Sequence, residues 1–263
     1  MTMKKIALGV EYDGHNFSGW QIQRANIRTV QQVVENALSS VADSDIRVHC
    51  AGRTDTGVHA SGQVVHFETD VHRDMRAWIW GSNSNLPTDA CVLWAKEVES
   101  DFHARFSARK RRYRYVILNR PIRPTYLAFR TTWIYRELNV EKMQRAANYL
   151  VGEHDFNAYR AIGCQAKSSI RQIHTLRITR QGQFVIIDVE ANAFLHHMVR
   201  NIAGVLIDIG CGKQTENWAR QILEGKDRTL GGVTASSCGL YFMHVTYDSR
   251  YDLPQSNDNP YFI

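Results

Sequence analysis

One short segment of the sequence contains residue types that could act chemically on a bound substrate. Residues 51–60 read AGRTDTGVHA and hold one carboxylate, Asp55, two positions after one guanidinium, Arg53. A carboxylate can serve as a nucleophile or a base, and an arginine can bind a phosphate group through paired hydrogen bonds. Glycine, threonine and aspartate are also common in tight polar turns, where Asp55 or Thr54 would bind backbone amides. The segment therefore predicts either a polar turn or a catalytic loop that projects from a sheet.

The distribution of charge indicates what kind of molecule such a loop would meet. The 263 residues include 32 Lys and Arg against 26 Asp and Glu, a net charge of +6 that decides little by itself. However, residues 102–136 and 156–187 contain no acidic residue. Cations without intervening carboxylates attract phosphates, whereas a merely solvated surface usually mixes both signs. We therefore expect a polyanionic partner, with Arg112 and Arg114 among its phosphate ligands. The cations of the two runs are Arg105, Arg109, Lys110, Arg111, Arg112, Arg114, Arg120, Arg123, Arg130 and Arg136, then Arg160, Lys167, Arg171, Arg177 and Arg180.

The cysteines and the hydrophobic pattern bear on the cellular compartment. The five cysteines are scattered, and none is in CxxC spacing, which argues against a disulfide framework and a zinc site. No stretch is long and apolar enough to cross a bilayer. The apolar run at residues 6–10 stops at Glu11, too early for a signal peptide. We expect a cytoplasmic protein without a membrane partner. The cysteines are Cys50, Cys91, Cys164, Cys211 and Cys238.

The periodicity of apolar residues predicts two copies of one β-α-β-β-α-β unit, an α+β architecture. In the first copy, strands are expected at 6–12, 46–50, 63–68 and 91–98, with helices starting at a Thr29 cap and at 73–85. In the second, strands are expected at 113–119, 170–180, 184–190 and 239–247, with helices after an Asn139 cap and at 194–209. We expect the two sheets to join edge to edge around a cleft. The predicted halves are residues 1–104 and 105–263.

Several separate motifs, in order along nearly the whole chain, resemble the tRNA pseudouridine synthase A family. Besides residues 51–60, they are 12–14 (YDG), 17–21 (FSGWQ), 102–108 (FHARFSA), 112–115 (RYRY), 152–156 (GEHDF), 194–201 (FLHHMVRN) and 239–241 (GLY). Agreement of this many ordered motifs by chance is very improbable. One departure is residues 232–238, which lack the prolines that family members often carry there.

The resemblance implies a fold and a reaction. The fold is that of the pseudouridine synthases, with ferredoxin-like halves joined into a mixed, largely antiparallel sheet. The reaction isomerises uridine to pseudouridine at positions 38, 39 and 40 in the anticodon stem-loop of tRNA. The glycosidic bond breaks, the uracil turns, and C5 rejoins the same ribose carbon. No metal or organic cofactor is implied. The family also implies a homodimer in which tRNA contacts both subunits.

The resemblance assigns Asp55 as the essential nucleophile and Arg200 as its ion-pair partner. A carboxylate removed from water stays ionised only when it is paired, so loss of Arg200 would weaken the nucleophile. Arg53 would take the place of the flipped nucleotide or bind its phosphate, a role with a physical reason because flipping a base costs a few kcal/mol.

Two further substrate contacts are implied, each with a structural alternative. Tyr113 would stack on the target uracil, but Tyr115 faces the same side of the strand, and a core role fits either one. Leu240 would pack against the uracil or belong to the core. His196 and His197 raise the question of a metal, but neighbours on a helix point in different directions and no carboxylate stands at ligand spacing. We expect no metal site there.

Two other functions are consistent with parts of this pattern. A non-catalytic tRNA-binding module or RNA chaperone would use the same basic runs, but it has no need for a buried acid. A glycoside hydrolase needs two carboxylates flanking the bond, and Asp55 has no partner acid within a motif.

Overall fold

The computed structural model describes residues 3–23 and 27–254. The chain divides into two compact units. Unit 1 comprises the residues up to Arg109 and those from Tyr241 onward, and unit 2 comprises Lys110–Leu240. Both units contain strands and helices, and most strand pairs are antiparallel. The predicted α+β class is confirmed. Within the described residues, no helix has the length and apolar character needed to span a bilayer.

The sheet of unit 1 has the order β4-β1-β3-β10, and the short strand β2 also pairs with β3. The central strand β1 is antiparallel to β3 and to β4, and β10 runs parallel to β3, with Tyr241 opposite His59. The side chain of Thr29 accepts a hydrogen bond from the Gln32 backbone and begins α1, as the sequence predicts. The elements of unit 1 are β1 (Lys4–Tyr12), α1 (Val30–Ala42), β2 (His49–Cys50), β3 (His59–Thr69), α2 (Met75–Asn85), β4 (Ala90–Val98) and β10 (Leu240–Thr246).

The strand predicted at residues 46–50 is much shorter in the structure. Only β2, His49–Cys50, pairs with β3. The backbone N–H groups of Ile46 and Val48 instead donate to the Ser39 hydroxyl and to the Glu35 carboxylate of α1, at 2.9 and 3.0 Å. Helix side chains therefore replace the ladder hydrogen bonds that a longer strand would have made.

Unit 2 has the sheet order β5-β9-β8-β7, with β6 added in parallel to β5. The predicted hairpin is confirmed as β8 and β9, which turn at Gly182 with a positive φ of 56°. The Asn139 cap of α3 is also confirmed, because its side chain accepts from the Lys142 backbone at 2.9 Å. The elements are β5 (Lys110–Asn119), β6 (Thr132–Ile134), α3 (Val140–Asn148), β7 (Gly152–Asp155), β8 (Ile170–Gln181), β9 (Phe184–Ala191), α4 (Met198–Gly210) and α5 (Trp218–Gly225).

Unit 2 departs from the prediction in its short elements. The sequence analysis did not identify β6, β7 and α5, which contain three, four and eight residues. Such lengths give too few repeats for a hydrophobic period to stand out. The helix predicted at 194–209 begins at Met198, because His197 has a left-handed backbone conformation with φ 60°.

Candidate active site

The loop of residues 51–58, called the Asp55 loop below, connects β2 to β3 in unit 1. It is fixed at its start by the sheet: the Ala51 N–H donates to the Val64 carbonyl at 2.8 Å. The side-chain amide of Gln63, which is fully buried, donates to the Gly52 carbonyl at 2.7 Å. A buried amide with a defined partner holds backbone in one position, since leaving it unpaired is costly.

The middle of the Asp55 loop is held by residues of the two N-terminal motifs, 12–14 and 17–21. The hydroxyls of Thr54 and Tyr12 are hydrogen bonded at 2.8 Å, and both residues are buried. The Thr54 carbonyl accepts from the Trp20 N–H at 3.0 Å. Gly19 has φ +85°, and a Cβ there would lie 2.8 Å from the Thr54 carbonyl oxygen. Only glycine allows this conformation and this close approach together.

This anchoring determines which side chains the loop presents. Thr54 points into the protein, while its neighbours Arg53 and Asp55 are exposed and half-buried respectively. The Asp55 carbonyl also accepts from the Val58 N–H at 3.1 Å, so the segment is a turn in its backbone. A rigid turn that places a carboxylate and a guanidinium next to one buried anchor can position both for chemistry.

The thiol of Cys50, at the entry to the Asp55 loop, is not suited to nucleophilic chemistry. Burial raises its pKa to about 12, although the nearby guanidiniums of Arg53 and Arg105 act in the opposite direction. A thiol with a pKa this high stays protonated at neutral pH, and the thiolate is the nucleophilic form. Cys50 is therefore a structural residue, which leaves Asp55 as the nucleophile candidate of this segment.

In unit 2, the structure distinguishes the two tyrosines that the sequence left open. Tyr115 is fully buried, and its hydroxyl is 2.6 Å from the Thr132 hydroxyl and donates to the Ser236 carbonyl at 2.8 Å. Burial also raises the pKa of Tyr115. Tyr113 is 8% exposed and packs edge-to-face against Phe194, with ring centroids 5.0 Å apart. Tyr115 thus has a complete structural role, and Tyr113 is the better candidate for a base contact.

Arg200 lies in the first turn of α4 and is half-buried. Its Nε donates to the Ala235 carbonyl at 2.8 Å, and its own carbonyl accepts from the Ala235 N–H at 3.2 Å. Arg200 is thereby joined to the loop of residues 232–238, the one that lacks the expected prolines. These two hydrogen bonds tie both the backbone and the Nε atom of Arg200 to Ala235.

A half-buried arginine, Arg228, also holds this loop, which contains no proline. The Nη2 atom of Arg228 donates to the Asn201 side-chain oxygen at 3.2 Å, to the Gly232 carbonyl at 2.9 Å and to the Thr234 hydroxyl at 3.1 Å. Thr234 in turn donates to Asn201 at 2.7 Å. We call residues 228–239 the clamp segment. Sequence reasoning missed Arg228, because its contact with Asn201 spans 27 positions, although Asn201 stands inside a motif that was noted.

The remaining predicted substrate contact in unit 2, Leu240, is 5% exposed and begins β10. His196 and His197 precede α4 rather than lying within it, and their ring centroids are 4.0 Å apart. The expectation that these two side chains diverge on a helix was therefore wrong, because the left-handed residue before α4 turns the chain there.

The predicted phosphate ligands Arg112 and Arg114 share a carboxylate, Asp188 of β9. Arg114 is 7% exposed and binds both carboxylate oxygens, at 3.0 and 2.9 Å. Arg112 lies 3.3 Å from the same group. Residues 102–136 contain no acidic residue, but in the fold the neighbouring strand β9 places Asp188 beside Arg112 and Arg114. Arg114 has a structural explanation, and a phosphate contact by either residue stays a prediction.

The five predicted site residues are divided between the units. Arg53 and Asp55 belong to unit 1, and Tyr113, Arg200 and Leu240 belong to unit 2. Within unit 1, the structure brings Arg53 and Asp55 together on one anchored loop. Within unit 2, it joins Arg200 to the loop that precedes Leu240.

Comparison with known proteins decides the family. The model of the tRNA pseudouridine synthase family matches residues 9–107 and 146–248. The chain belongs to the tRNA pseudouridine synthase family. It is 54% identical over 259 residues to tRNA pseudouridine synthase A of Legionella pneumophila strain Lens, covering 98% of each chain. It is 52% identical over 261 residues to the protein of that name from Coxiella burnetii, covering 99% of this chain and 100% of the other.

A third relative, tRNA pseudouridine synthase A of Pseudomonas aeruginosa, is 51% identical over 261 residues, 99% of this chain and 92% of its own. The resemblance stated from the motifs is confirmed, and with it the pseudouridine synthase fold and the class of enzyme, an isomerase. The family match includes Arg53, Asp55, Arg200 and Leu240, whereas Tyr113 lies between its two stretches.

Proposed function

We propose that this protein isomerises uridine to pseudouridine in tRNA, at positions 38, 39 and 40 of the anticodon stem-loop, with Asp55 as the nucleophile. Full-length similarity to tRNA pseudouridine synthase A proteins supports the reaction. The observation that carries the residue assignment is the Asp55 loop. Buried hydrogen bonds from Gln63 and Tyr12 hold it, and Asp55 is presented next to Arg53.

The isomerisation is balanced within the substrate. The bond from uracil N1 to ribose C1′ breaks, the base turns, and a bond from C5 to C1′ forms. A proton leaves C5 and another is gained at N1, so nothing is oxidised or reduced. The Asp55 carboxylate acts at the ribose while the base is detached. Because the Asp55 carboxylate is held in a fixed position, little entropy is lost in reaching the reacting geometry. Such positioning is a large part of what an enzyme contributes to the rate.

Arg200 keeps Asp55 ionised by pairing with it when the substrate is bound. A carboxylate that loses water without gaining a cation has a raised pKa and is a poorer nucleophile. The hydrogen bonds between Arg200 and Ala235 support this role, because they fix one side of the guanidinium and limit how far the other side moves.

Tyr113 stacks on the detached uracil and limits the ways in which it can turn. Stacking of a base on an aromatic ring is worth about 1–3 kcal/mol, enough to hold a flipped base. Leu240 packs against the same base. Arg53, exposed on the Asp55 loop, occupies the space that the flipped nucleotide leaves or binds its phosphate, which offsets a few kcal/mol of unstacking.

The family resemblance also supports a homodimer that binds one tRNA with both subunits, in the cytoplasm, where tRNA is found. Sedimentation of the protein with and without tRNA measures the first of these points. A monomer at micromolar concentration in both conditions contradicts it.

The deciding experiment compares the wild type with Asp55→Asn on unmodified tRNA transcripts. The amide has nearly the same shape but no charge, so we expect pseudouridine formation to fall by at least about a thousandfold while tRNA binding is kept. Asp70→Asn, at an exposed carboxylate outside the loop, is the matched control. Full activity of Asp55→Asn contradicts the assignment. A wild type that binds tRNA and makes no pseudouridine would indicate a binding module.

A further inference from the structure

Phe106 and Arg105 are exposed neighbours in unit 1, and neither belongs to the candidate active site described above. Phe106 is 76% exposed. The Arg105 guanidinium lies 5.5 Å from the centre of its ring, and the His103 ring packs against it at 4.3 Å. Single exposed apolar residues are ordinary on protein surfaces, so exposure alone decides nothing. What matters is how these two residues are held and what lies next to them.

The turn that carries Arg105 and Phe106 is fixed by one histidine. Nδ1 of His103 accepts from the backbone N–H groups of Arg105 and Phe106, at 3.1 and 3.3 Å. The His103 N–H donates to the Ser107 hydroxyl at 3.0 Å, and the Ser107 N–H donates to the His103 carbonyl at 2.9 Å. Both presented residues therefore have a defined backbone position before any ligand arrives.

The same turn is attached to the interior of unit 1. The Ala104 N–H donates to Nδ1 of His66, a buried residue of β3, at 3.1 Å. The Ala104 carbonyl accepts from the Tyr247 hydroxyl at 2.6 Å. The turn therefore has defined hydrogen-bond partners on β3 and on the residue that follows β10, which hold its backbone in place. A preorganised contact of this kind loses little conformational entropy when a ligand binds.

This turn lies beside the entry to the Asp55 loop. The His103 ring is 5.4 Å from that of His49, and β2, His49–Cys50, leads directly into the loop. The guanidiniums of Arg105 and Arg53 both act on the thiol of Cys50. Arg53 and Arg105 both lower the pKa of the Cys50 thiol through their charge, so both lie near the entry to the Asp55 loop.

We propose that Arg105 and Phe106, together called the ledge, bind tRNA next to the target uridine. Phe106 stacks on an unpaired nucleobase, and Arg105 binds the backbone phosphate beside it. The inference rests on the proposed function, since it takes tRNA as the substrate of this surface. Aromatic rings that stack on bases and cations that neutralise phosphates are the recurring elements of single-stranded RNA sites.

Charge favours RNA over a second copy of the chain at the ledge. In a two-fold dimer whose axis passed through the ledge, the two copies of Arg105 would face each other. Residues 102–136 supply no acidic side chain to relieve that repulsion. RNA supplies the opposite charge at every phosphate.

The test uses three substitutions of Phe106 in the full-length protein, with unmodified tRNA transcripts. We expect Phe106→Ala to raise the Kd and the KM for tRNA by about five- to hundredfold, the range of one lost stacking contact. The value of kcat at saturating tRNA should change little, because ground-state binding is what is lost. Phe106→Trp should restore affinity, and Phe106→Leu, apolar but not aromatic, should not.

Two controls make the outcomes decisive. Trp80→Ala removes another exposed aromatic of unit 1 outside the acid-free run and should leave the KM unchanged. Arg105→Gln should reduce the slope of log affinity against log salt by about one. If Phe106→Ala binds tRNA with wild-type affinity, the proposal is overturned. It is also overturned if the only property that changes in Phe106→Ala is its sedimentation in the absence of tRNA. A wild type that forms no pseudouridine refutes the proposed function instead, and the binding comparison still decides the ledge.

Discussion

The Asp55 loop of unit 1 and the clamp segment of unit 2 are held in place by different means. Besides the side-chain bonds from Gln63 and Tyr12, the Asp55 loop has a close-approach anchor: the Thr54 carbonyl accepts from the Trp20 N–H and passes next to Gly19. In the clamp segment one guanidinium, Arg228, supplies three side-chain hydrogen bonds. Gly19 acts by the absence of a side chain, and Arg228 acts by the presence of one. Substitutions at these two positions therefore test the two kinds of anchor separately.

Gly19→Ala should have the largest effect, since it changes both the conformation and the spacing that the Asp55 loop requires. Left-handed backbone costs a residue with a Cβ about 1–2 kcal/mol, and the new carbon would lie 2.8 Å from the Thr54 carbonyl oxygen. We expect kcat to fall by about a hundredfold or more, since a displacement of about 1 Å in a catalytic group has that effect. Single-turnover pseudouridine formation measures it.

Gly182→Ala is the matched control for that experiment. Gly182 also has a positive φ, 56°, but its added Cβ meets nothing within 4 Å. It should lose some stability in urea and keep its activity. Equal losses of activity in the two variants would show that backbone strain alone, and not the approach to Thr54, explains the first result.

Arg228→Met should release the clamp segment with a smaller effect. The substitution keeps an apolar stem but removes the donors to Asn201, Gly232 and Thr234. Hydrogen bonds from a charged group contribute about 1.5–3 kcal/mol, part of which the loop recovers by moving. We expect about a tenfold loss of kcat, with Arg220→Met, whose partner is the exposed Glu224, as the control. Unchanged kcat in Arg228→Met would mean that the hydrogen bonds of Arg228 are not what holds this proline-free segment in place.

The contrast between the two regions also explains what the sequence could predict. The Asp55 loop was identified because Arg53 and Asp55 lie two positions apart in one short motif, and its anchors Gly19 and Tyr12 also stand in short motifs. The clamp segment was seen only as a place where prolines are missing, because Arg228 and Asn201 meet through folding. The pairing of Arg114 with Asp188 was missed for the same reason: β5 and β9 are neighbours in the sheet but 74 positions apart.

Tyr115→Phe and Tyr113→Phe should separate a structural tyrosine from a substrate contact. The Tyr115 hydroxyl bonds to Thr132 and Ser236 in the interior, so its loss should cost about 1–2 kcal/mol of unfolding free energy. Tyr113→Phe keeps the ring against Phe194 and should retain the stability that this packing contributes, as measured by urea unfolding. Tyr113→Ala should then raise the KM for tRNA or lower kcat. The reverse pattern would transfer the base contact to Tyr115.

The smallest effect near neutral pH concerns the ledge. Its turn is anchored in unit 1 by the ring of His66, which accepts from the Ala104 N–H, as the clamp segment is anchored in unit 2 by Arg228. Burial, followed by the charges of His103, His49 and Lys5, lowers the pKa of His66 to about 3. The unfolded chain binds a proton near pH 6.5 and the folded one does not, so stability is complete above pH 6.5 and falls as the pH drops toward 3. The limiting slope is about 1.4 kcal/mol per pH unit. Urea unfolding of the wild type and of His66→Gln at pH 7.5, 6.5 and 5.5 measures it. The variant should be less stable at pH 7.5 but lose less on acidification. Parallel pH dependence in the two proteins would show that the Ala104 anchor does not depend on a neutral His66.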